Sequence, residues 1–261
     1  MDLGLKGLNV LISGGSKGIG CRCADYFAAE GANVSICARD KATVDETVAH
    51  LSKAGVKALG HSVDVGNKDA LESWIAESGK ALGGIDIIVP NVSALAVEDN
   101  EDAWRKEFEV DMLHTVRFVN AALPYLEKSK APSVTIVSSV SGREIDFTGP
   151  AYGAFKAALI HYAHGMAFKL APKMIRVNSV SPGNTYFKGG VWEYIENNLP
   201  DLFKEALRLN PTGRMATPEE VARGVVFLAS PASSFTTGTN LVIDGALTRG
   251  VQSVSYTHLT L

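Results

Sequence analysis

The sequence predicts one doubly wound parallel α/β sheet of about seven strands, with helices on both faces. Short runs rich in β-branched residues are almost continuously apolar, as expected for strands that helices cover on both sides. Longer segments with helical spacing separate these runs, and such alternation is typical of parallel sheets. No repeat, low-complexity tract or linker divides the chain, so we expect residues 1–250 to form one domain.

The individual elements follow from this alternation in chain order. Strands are predicted at 8–13, 33–38, 56–62, 85–90, 133–138, 175–180 and 240–243. Helices are predicted at 18–30, 41–54, 67–82, 101–128, 151–171 and 218–229. The last helix has the clearest start, because Thr217 is a suitable N-cap and Pro218 a favoured first residue.

Composition and charge exclude several classes of protein. Of 261 residues, 46% are apolar and 20% are charged, unlike disordered, collagenous or membrane chains. No apolar run approaches the roughly 20 residues that span a bilayer, and the N-terminus does not resemble a signal peptide. The net charge is −3 with scattered Lys and Arg, so we expect no nucleic-acid partner. The three cysteines form no zinc pattern, and we expect reduced thiols in a cytoplasmic protein.

Two segments depart from the alternation. Residues 183–212 form a long insertion rich in glycine and aromatic residues, and such insertions near strand ends are often binding loops. We predict that this segment binds the substrate through Trp192 and Tyr194, with a pair of ordinary surface helices as the alternative. Residues 251–261 have no evident structural role, and their sequence resembles a translated transposase adapter from DNA library preparation. We therefore expect a non-native tail and a metagenomic source.

A glycine-rich loop joins the first predicted strand to the first helix. Its G-x-x-x-G-x-G spacing permits a tight turn and a close approach of the backbone to phosphate. The helix N-terminus adds unpaired N–H groups and a positive dipole end. Because the loop stands between a strand and a helix, we predict a Rossmann-type dinucleotide site. Its predicted cofactor-binding residues are Gly14, Ser16, Lys17, Gly18, Ile19 and Gly20.

The residues after the second strand indicate which dinucleotide binds. An NAD site usually places an acid there, to accept a hydrogen bond from the ribose 2′-hydroxyl. Here Arg39 follows the predicted strand, and its guanidinium suits a 2′-phosphate, with Lys17 adding a second positive charge. NADP(H) is therefore favoured over NAD(H). Asp40 is the alternative, as a ribose acid, if the strand ends later than predicted.

A second group of residues suggests proton transfer. Tyr152 and Lys156 are four residues apart on a predicted helix and therefore share a face. A neighbouring ammonium group favours phenolate, so we expect Lys156 to lower the pKa of Tyr152 and let it act as a general acid or base. Ser139 stands at the end of a predicted strand, where open α/β sheets bind their ligands.

These motifs, taken together and in this order and spacing, resemble those of the short-chain dehydrogenase/reductase family. The resemblance covers about 5–247, nearly the whole chain. The resemblance implies that Tyr152 exchanges the proton with the substrate oxygen. It implies that Lys156 lowers the Tyr152 pKa and binds the nicotinamide ribose, and that Ser139 holds the substrate oxygen by a hydrogen bond. It also implies a homotetramer, or a dimer, built on 101–128, 151–171 and 240–247.

Further cofactor contacts are implied by the same resemblance. The sequence Asp64-Val65 is similar to the family's adenine-contacting pair, and Asn91 matches the second Asn of its N-N-A-G segment. Pro182-Gly183 is similar to its P-G motif beside the nicotinamide.

Three positions depart from the family pattern. The N-N-A-G segment is here Pro90-Asn91-Val92-Ser93. Asp111 replaces an Asn that helps to hold a water in the proton relay, and a carboxylate near Lys156 is expected to alter the pH profile. Phe187 replaces a Thr that contacts the nicotinamide amide, so the nearest hydroxyl is that of Thr185.

The sequence thus predicts NADP(H)-dependent hydride transfer to or from a ketone or secondary alcohol. An apolar cyclic, aromatic or steroid-like ketone is favoured, and a 3-oxoacyl thioester is the alternative. A nucleotide-binding sensor without turnover is the alternative from another class. His161 and His164 are three residues apart but have no suitably spaced carboxylate, so no metal is expected.

Overall fold

Seven parallel strands form the centre of the computed structural model, which describes residues 2–250. The strand order is β3-β2-β1-β4-β5-β6-β7, so the direction of winding reverses between β1 and β4. Ser13 at the end of β1 is in register with Cys37 in β2, and Ile12 with Val89 in β4. This reversal opens a crevice at the carboxyl ends of the strands, where open α/β sheets bind ligands. The predicted fold class is confirmed.

The elements lie close to their predicted positions. The strands are β1 Asn9–Ser13, β2 Asn33–Ala38, β3 Ala58–Ser62, β4 Ile87–Val89, β5 Ser133–Val137, β6 Arg176–Pro182 and β7 Asn240–Ile243. The helices are α1 Gly18–Ala29, α2 Lys41–Leu51, α3 Lys68–Leu82, α4 Glu101–Glu107, α5 His114–Leu126, α6 Pro150–Leu170, α7 Val191–Asn198, α8 Pro200–Leu209 and α9 Pro218–Ala229. Thr217 caps α9 as predicted, in a reciprocal capping box with Glu220.

The apolar core occupies both faces of the sheet. On one face, Phe27 of α1 and Val225 of α9 pack with Val10 and Ile36 of the strands. On the other, Trp74, Phe118 and Leu159 of α3, α5 and α6 pack with Leu11 and Ile136, among other buried side chains. The strands are therefore covered from both sides, which is why their sequences are almost continuously apolar.

The predicted helix 101–128 is not one continuous α-helix. A π-helical turn, Phe108–Leu113, separates α4 from α5. Such a turn leaves backbone carbonyl groups without their usual partners, and two side chains supply replacements. The hydroxyl of Thr115 donates to the carbonyl oxygen of Asp111 at 2.7 Å. The Nδ1 of His114 lies 3.0 Å from the carbonyl oxygen of Val110. The turn thus places Asp111 in the interior, where it is fully buried.

Segment 183–212 contains the helix pair α7 and α8, and its predicted role in substrate binding stays a prediction. Tail 251–261 lies outside the described residues, and its predicted non-native origin stays a prediction. Among residues 2–250, none of the helices is long and apolar enough to cross a membrane.

Candidate active site

The glycine loop forms a cradle of backbone at the start of α1. Gly14 has a φ of +69°, a conformation that favours glycine, and a Cβ there would lie 2.9 Å from the Nδ2 of Asn91. A Cβ on Gly20 would lie 2.3 Å from the carbonyl oxygen of Gly14. The side chain of Asn91 holds this arrangement by donating to the carbonyl oxygens of Ser13 and Gly14. The cradle therefore fits a dinucleotide phosphate, which needs close approach of backbone N–H groups.

A cavity of about 480 Å³ extends from this cradle along the ends of β2 and β3. Most of the predicted residues for the adenosine half of the cofactor meet there: Gly14, Ser16, Lys17, Arg39, Asp64 and Val65 line its wall. Lys106 of α4 also lines it and was not foreseen from the sequence. The other predicted loop residues, Gly18, Ile19 and Gly20, form the first turn of α1 beside the cavity.

The residues after β2 have different local roles. β2 ends at Ala38, so Arg39 is the first residue beyond the strand. Asp40 is the N-cap of α2, where its Oδ1 accepts a hydrogen bond from the backbone N–H of Thr43 at 2.8 Å. This bond lowers the pKa of the Asp40 carboxyl. The strand ends before Asp40, and Asp40 lines the cavity together with Arg39.

The segment after β6 returns to the glycine loop. Pro182 is the last residue of β6, and the N–H of Gly183 donates to the carbonyl oxygen of Ile243 at 2.9 Å. The hydroxyl of Thr185 donates to the carbonyl oxygen of Gly183 at 3.0 Å. The ring of Phe187 packs over Gly18, so closely that a Cβ there would lie 2.7 Å from it. The phenylalanine at the family's threonine position is thus in contact with the cofactor loop.

The predicted catalytic residues come together at the start of α6 and the end of β5. Tyr152 and Lys156 lie in the first two turns of α6, and both are buried. The Nζ of Lys156 lies 5.4 Å from the centre of the Tyr152 ring. Ser139 follows β5, and its side chain is close enough to Tyr152 to influence the pKa of the phenol. The serine, the phenol and the ammonium group therefore form one site.

The pKa of Tyr152 differs from its predicted direction. Burial disfavours the phenolate and is the largest influence; the charge of Lys156 and the polar side chain of Ser139 oppose it. The net result is a pKa raised above the ordinary value of about 10. The sequence-based prediction identified the cation correctly but could not include desolvation. Tyr152 is therefore protonated at neutral pH, as a proton donor must be.

Lys156 forms a buried ion pair with Asp111. The Nζ of Lys156 lies 2.7 Å from the Oδ1 of Asp111, and the two side chains are 2% and 0% exposed. Burial is the largest influence and opposes the ionisation of Asp111, but Lys156, Glu107 and the backbone N–H of Ala94 together outweigh it and hold the pKa of the carboxyl below its usual range. Burial likewise disfavours the charge on Lys156, while Asp111 raises its pKa overall. The carboxylate at the family's asparagine position thus contacts the catalytic lysine directly.

Ser139 is held by a chain of hydroxyl and carboxylate groups. Its Oγ donates to the Oγ of Ser141 at 3.1 Å, which in turn donates to the Oδ2 of Asp146 at 2.6 Å. The backbone N–H of Ser141 also donates to the Oγ of Ser139. In this arrangement the hydroxyl hydrogen of Ser139 points to Ser141, and the chain of bonds holds the serine side chain in place. Ser141 and Asp146 were missed by sequence reasoning, since only folding of the 140–147 loop brings them to Ser139.

A second cavity, of about 360 Å³, lies between the loop after Ser139 and segment 183–212. Its lining is largely apolar, with carboxylates at Glu144, Asp146 and Glu205. Trp192 is buried in the cluster beneath α7 and α8, and its ring packs edge-on against Phe147, which lines the cavity. Tyr194 is 62% exposed and is not part of this lining. The structure therefore brings Trp192, but not Tyr194, to the back of the cavity wall.

Glu107 is the charged residue that sequence reasoning should have noticed. It precedes Asp111 by four residues, so the two share a helix face. It is fully buried, and its Oε1 accepts a hydrogen bond from the backbone N–H of Ala96 at 2.7 Å. The signal for Glu107 in the sequence was its position one turn from a second acid, on a helix that reaches the active site.

A dinucleotide cradle beside a buried tyrosine–lysine pair defines the class of protein, a nicotinamide-dependent oxidoreductase. The family model described as enoyl-(acyl carrier protein) reductase matches residues 14–248. Isoepoxydon dehydrogenase patN of Penicillium expansum is 41% identical over 256 residues, which cover 97% of this chain and 99% of that protein. The chain belongs to the short-chain dehydrogenase/reductase (SDR) family, as its motifs predicted, and so acts on alcohol or ketone groups.

Solved structures of the family match nearly the whole chain. L-sorbose reductase of Gluconobacter frateurii, solved with NADPH and L-sorbose, has a TM-score of 0.89 at 27% identity. The match covers 96% of this chain and 100% of that one. A 7α-hydroxysteroid dehydrogenase, solved with NADH and 7-oxo glycochenodeoxycholic acid, has a TM-score of 0.87 at 25% identity, covering 97% and 98%. Members of the family with this fold thus bind either nicotinamide cofactor.

The close contacts of the cradle give a testable prediction. Gly20→Ala should weaken NADPH binding by at least about tenfold and destabilise the protein by about 1–3 kcal/mol, because the new Cβ displaces the Gly14 carbonyl. Calorimetric titration and urea unfolding measure the two effects. Gly165→Ala is the matched control: it lies in α6, and its Cβ would meet no atom within 4 Å. Wild-type NADPH affinity in Gly20→Ala would contradict the cradle.

Proposed function

We propose that the protein transfers a hydride between NADP(H) and a ketone or secondary alcohol with a compact apolar body. The observation that carries the reaction type is the buried set of Ser139, Tyr152 and Lys156 beside a dinucleotide cradle. The bound nicotinamide supplies the hydride chemistry, whereas the protein supplies binding, orientation and proton transfer.

The residues of the site have distinct tasks in this reaction. When substrate binds, the hydroxyl of Ser139 exchanges its bond to Ser141 for one to the substrate oxygen, while the backbone N–H of Ser141 still holds the serine Oγ. This bond places the substrate oxygen next to the phenol of Tyr152. Tyr152 gives its proton to this oxygen in reduction and takes it back in oxidation. Lys156 lies beside the ring and stabilises the phenolate that remains after the proton has left. The Asp111 carboxylate keeps the lysine charged and in position.

The preference for NADP(H) rests on the charges around the first cavity. Arg39 and Lys17 line it, and their positive charges suit a 2′-phosphate. Asp40 and Asp64 line it too, but each carboxylate already accepts a hydrogen bond from a nearby backbone N–H, that of Thr43 or Gly66. The relative solved with NADPH and L-sorbose shares the fold and supports this choice, whereas the one solved with NADH shows that the fold alone does not decide it.

Removal of the guanidinium tests the cofactor preference. Arg39→Ala should lower kcat/KM for NADPH by about 10–100-fold, because charge-assisted hydrogen bonds to the phosphate are lost. The value for NADH should change little. Lys41→Ala is the control, since it removes a nearby positive charge that pairs with Asp45 and does not line the cavity. Equal losses for both cofactors, or higher kcat/KM with NADH in the wild type, would contradict the assignment.

The second cavity supports a substrate of limited size. Its volume of about 360 Å³ suits a ring system, and its apolar lining suits a ring with few charges. We assign segment 183–212 to the substrate, because Asn184, Leu202, Glu205 and Leu209 of this segment line the cavity. Three carboxylates and one guanidinium, that of Arg249, line it, and this negative balance disfavours anionic substrates, including a thioester carried by an acidic protein.

Assembly into a homotetramer, or a dimer, is part of the proposal. Trp104, Phe108 and Phe155 form a cluster of aromatic rings on α4, the π turn and α6, and the first two are 40% and 46% exposed. A second copy packed on this face would cover these rings. We also propose a cytoplasmic location, which the free state of the three cysteines supports.

A substrate panel tests the reaction itself. Purified protein is assayed with NADPH and NADH on cyclic, aromatic and steroid ketones, on ketoses and on a 3-oxoacyl thioester, with nicotinamide absorbance as the measurement. Turnover of a neutral cyclic ketone with NADPH is expected. Cofactor binding without turnover on the whole panel would overturn the proposal in favour of a nucleotide sensor.

A further inference from the structure

The active site contains a second buried acid that the reaction described above does not use. Glu107 and Asp111 lie one helical turn apart, and both side chains are fully buried. One oxygen of each accepts a backbone hydrogen bond: Glu107 Oε1 from Ala96 at 2.7 Å, and Asp111 Oδ2 from Ala94 at 2.8 Å. The loop after β4 thus fixes both carboxyl groups.

The remaining oxygens of the two acids have different surroundings. Asp111 Oδ1 lies 2.7 Å from the Nζ of Lys156. Within residues 2–250, Glu107 Oε2 has no hydrogen-bond donor, and a side-chain hydrogen bond can join it to Asp111 only if one acid carries a proton. Two buried carboxylates beside one ammonium group would leave a negative charge without compensation. One shared proton gives Glu107 Oε2 a hydrogen-bond partner and removes the uncompensated charge.

We propose that Glu107 and Asp111 share one proton next to Lys156, and that Glu107 is a positioning residue that sets the charge experienced by Lys156 and Tyr152. With the proton in place, the group of two acids and one ammonium is neutral. When the proton leaves, the group carries one negative charge, which disfavours the Tyr152 phenolate. Proton release from this pair therefore opposes alcohol oxidation at alkaline pH. The inference rests on the proposed function of Tyr152.

The surroundings make this pair the first group to titrate as the pH rises from neutral. Burial, followed by the charge of Asp111, raises the pKa of Glu107 to about 8. Lys156 and Tyr152, which face the pair from α6, have pKa values raised above their ordinary values near 10. His114, on the same helical segment, is buried, which lowers its pKa to about 4, and the guanidinium of Arg117 lies beyond it. The loop at 94–96 presents backbone N–H groups.

Glu107→Gln tests the shared proton, because the amide keeps the bond from Ala96 and can donate to Asp111 but cannot ionise. In infrared spectra, wild-type protein at pH 7 should show the carbonyl band of a protonated carboxylic acid, and this band should vanish in the variant. In alcohol oxidation with NADP⁺, the alkaline ionisation in the kcat/KM profile should move to lower pH by about 0.5–1 unit in Glu107→Gln.

Two further variants distinguish a proton shared by Glu107 and Asp111 from a proton held on Glu107 by burial alone. Asp111→Asn leaves Glu107 as the lone acid near Lys156, so it should ionise and the band should vanish at pH 7. A band that persists in Asp111→Asn would overturn the sharing, because burial alone would then hold the proton. Glu109→Gln is the matched control, since Glu109 lies on the same turn but pairs with Arg117, and both measurements should equal the wild type.

The two readouts also separate this inference from the proposed function. Absence of a protonated-acid band in the wild type at pH 7, or coincident pH profiles of wild type and Glu107→Gln, would overturn the role of Glu107 even in an active enzyme. The infrared measurement needs no substrate. It would therefore support the shared proton even if the substrate panel showed no turnover.

Discussion

Tyr152→Phe should lower kcat for ketone reduction by about 10²–10⁴-fold, the range that a positioned general acid contributes. The variant keeps the ring that packs beside Lys156 and removes only the hydroxyl that delivers the proton. Because burial keeps the phenol protonated at neutral pH, the wild type should reduce ketones well below the pKa of Tyr152. Single-turnover measurement of NADPH oxidation isolates the chemical step, and calorimetry checks that NADPH affinity stays within a few-fold of the wild type.

Tyr162→Phe is the matched control for this prediction. Tyr162 lies on the same helix, and burial raises the pKa of its phenol to about 12, but it packs in the core under α6. Its loss should leave the chemical step unchanged. If Tyr152→Phe retained the single-turnover rate of the wild type, Tyr152 would not be the proton donor.

Lys156→Met should lower the free energy of unfolding by about 3–5 kcal/mol at pH 7, apart from its effect on activity. The change removes the single cation from a buried pair of acids, and breaking a buried ion pair typically has this effect. Loss of a cation from an ion pair on the surface should lower the free energy of unfolding far less. Lys173→Met, which breaks the half-exposed pair with Glu127, should change stability by less than about 1 kcal/mol.

The pH dependence of Lys156→Met gives a sharper test. In the wild type, Lys156 keeps the pKa of Asp111 low, so the folded pair binds about one proton between pH 5 and 8, on Glu107. Without Lys156, burial acts unopposed and both acids hold protons, whereas the unfolded chain binds almost none above pH 5. Stability should therefore fall more steeply with rising pH in the variant, by up to ~1.4 kcal/mol per pH unit.

Urea unfolding at pH 5, 6, 7 and 8 measures this difference. The gap between wild type and Lys156→Met should widen as the pH rises. A gap that stays constant over this range, or remains below about 1 kcal/mol at pH 7, would show that the ion pair contributes little to the folded state.

The cofactor cradle and the catalytic pair could be predicted from the sequence because local spacing specifies them. Gly14, Gly18 and Gly20 are needed wherever a strand must turn into a helix around a phosphate. Tyr152 and Lys156 share a face whenever 151–171 is helical. The alternation of apolar strands and helices likewise predicted the sheet, since each strand must be covered on both sides.

Other features depended on contacts between distant segments. The π turn at 108–113 has no spacing signal, and it is this turn that carries Asp111 into the interior beside Lys156. Tyr194 was predicted to contact the substrate, but α7 presents it outward, whereas Trp192 on the same helix points inward. An aromatic residue in a short helix can face either way, and only the packing of α7 on the neighbouring residues decides it.

By itself, the sequence determined the fold class and predicted the dinucleotide cradle and the candidate catalytic residues, because each depends on the spacing of residues close together in the chain. The tertiary structure alone decided the directions of the pKa shifts. Burial outweighs Lys156 in setting the pKa of Tyr152, and the approach of α4, the π turn and α6 raises the pKa of Glu107 and lowers that of Asp111. Desolvation and charge interactions depend on distances across the fold, which spacing along the chain does not contain.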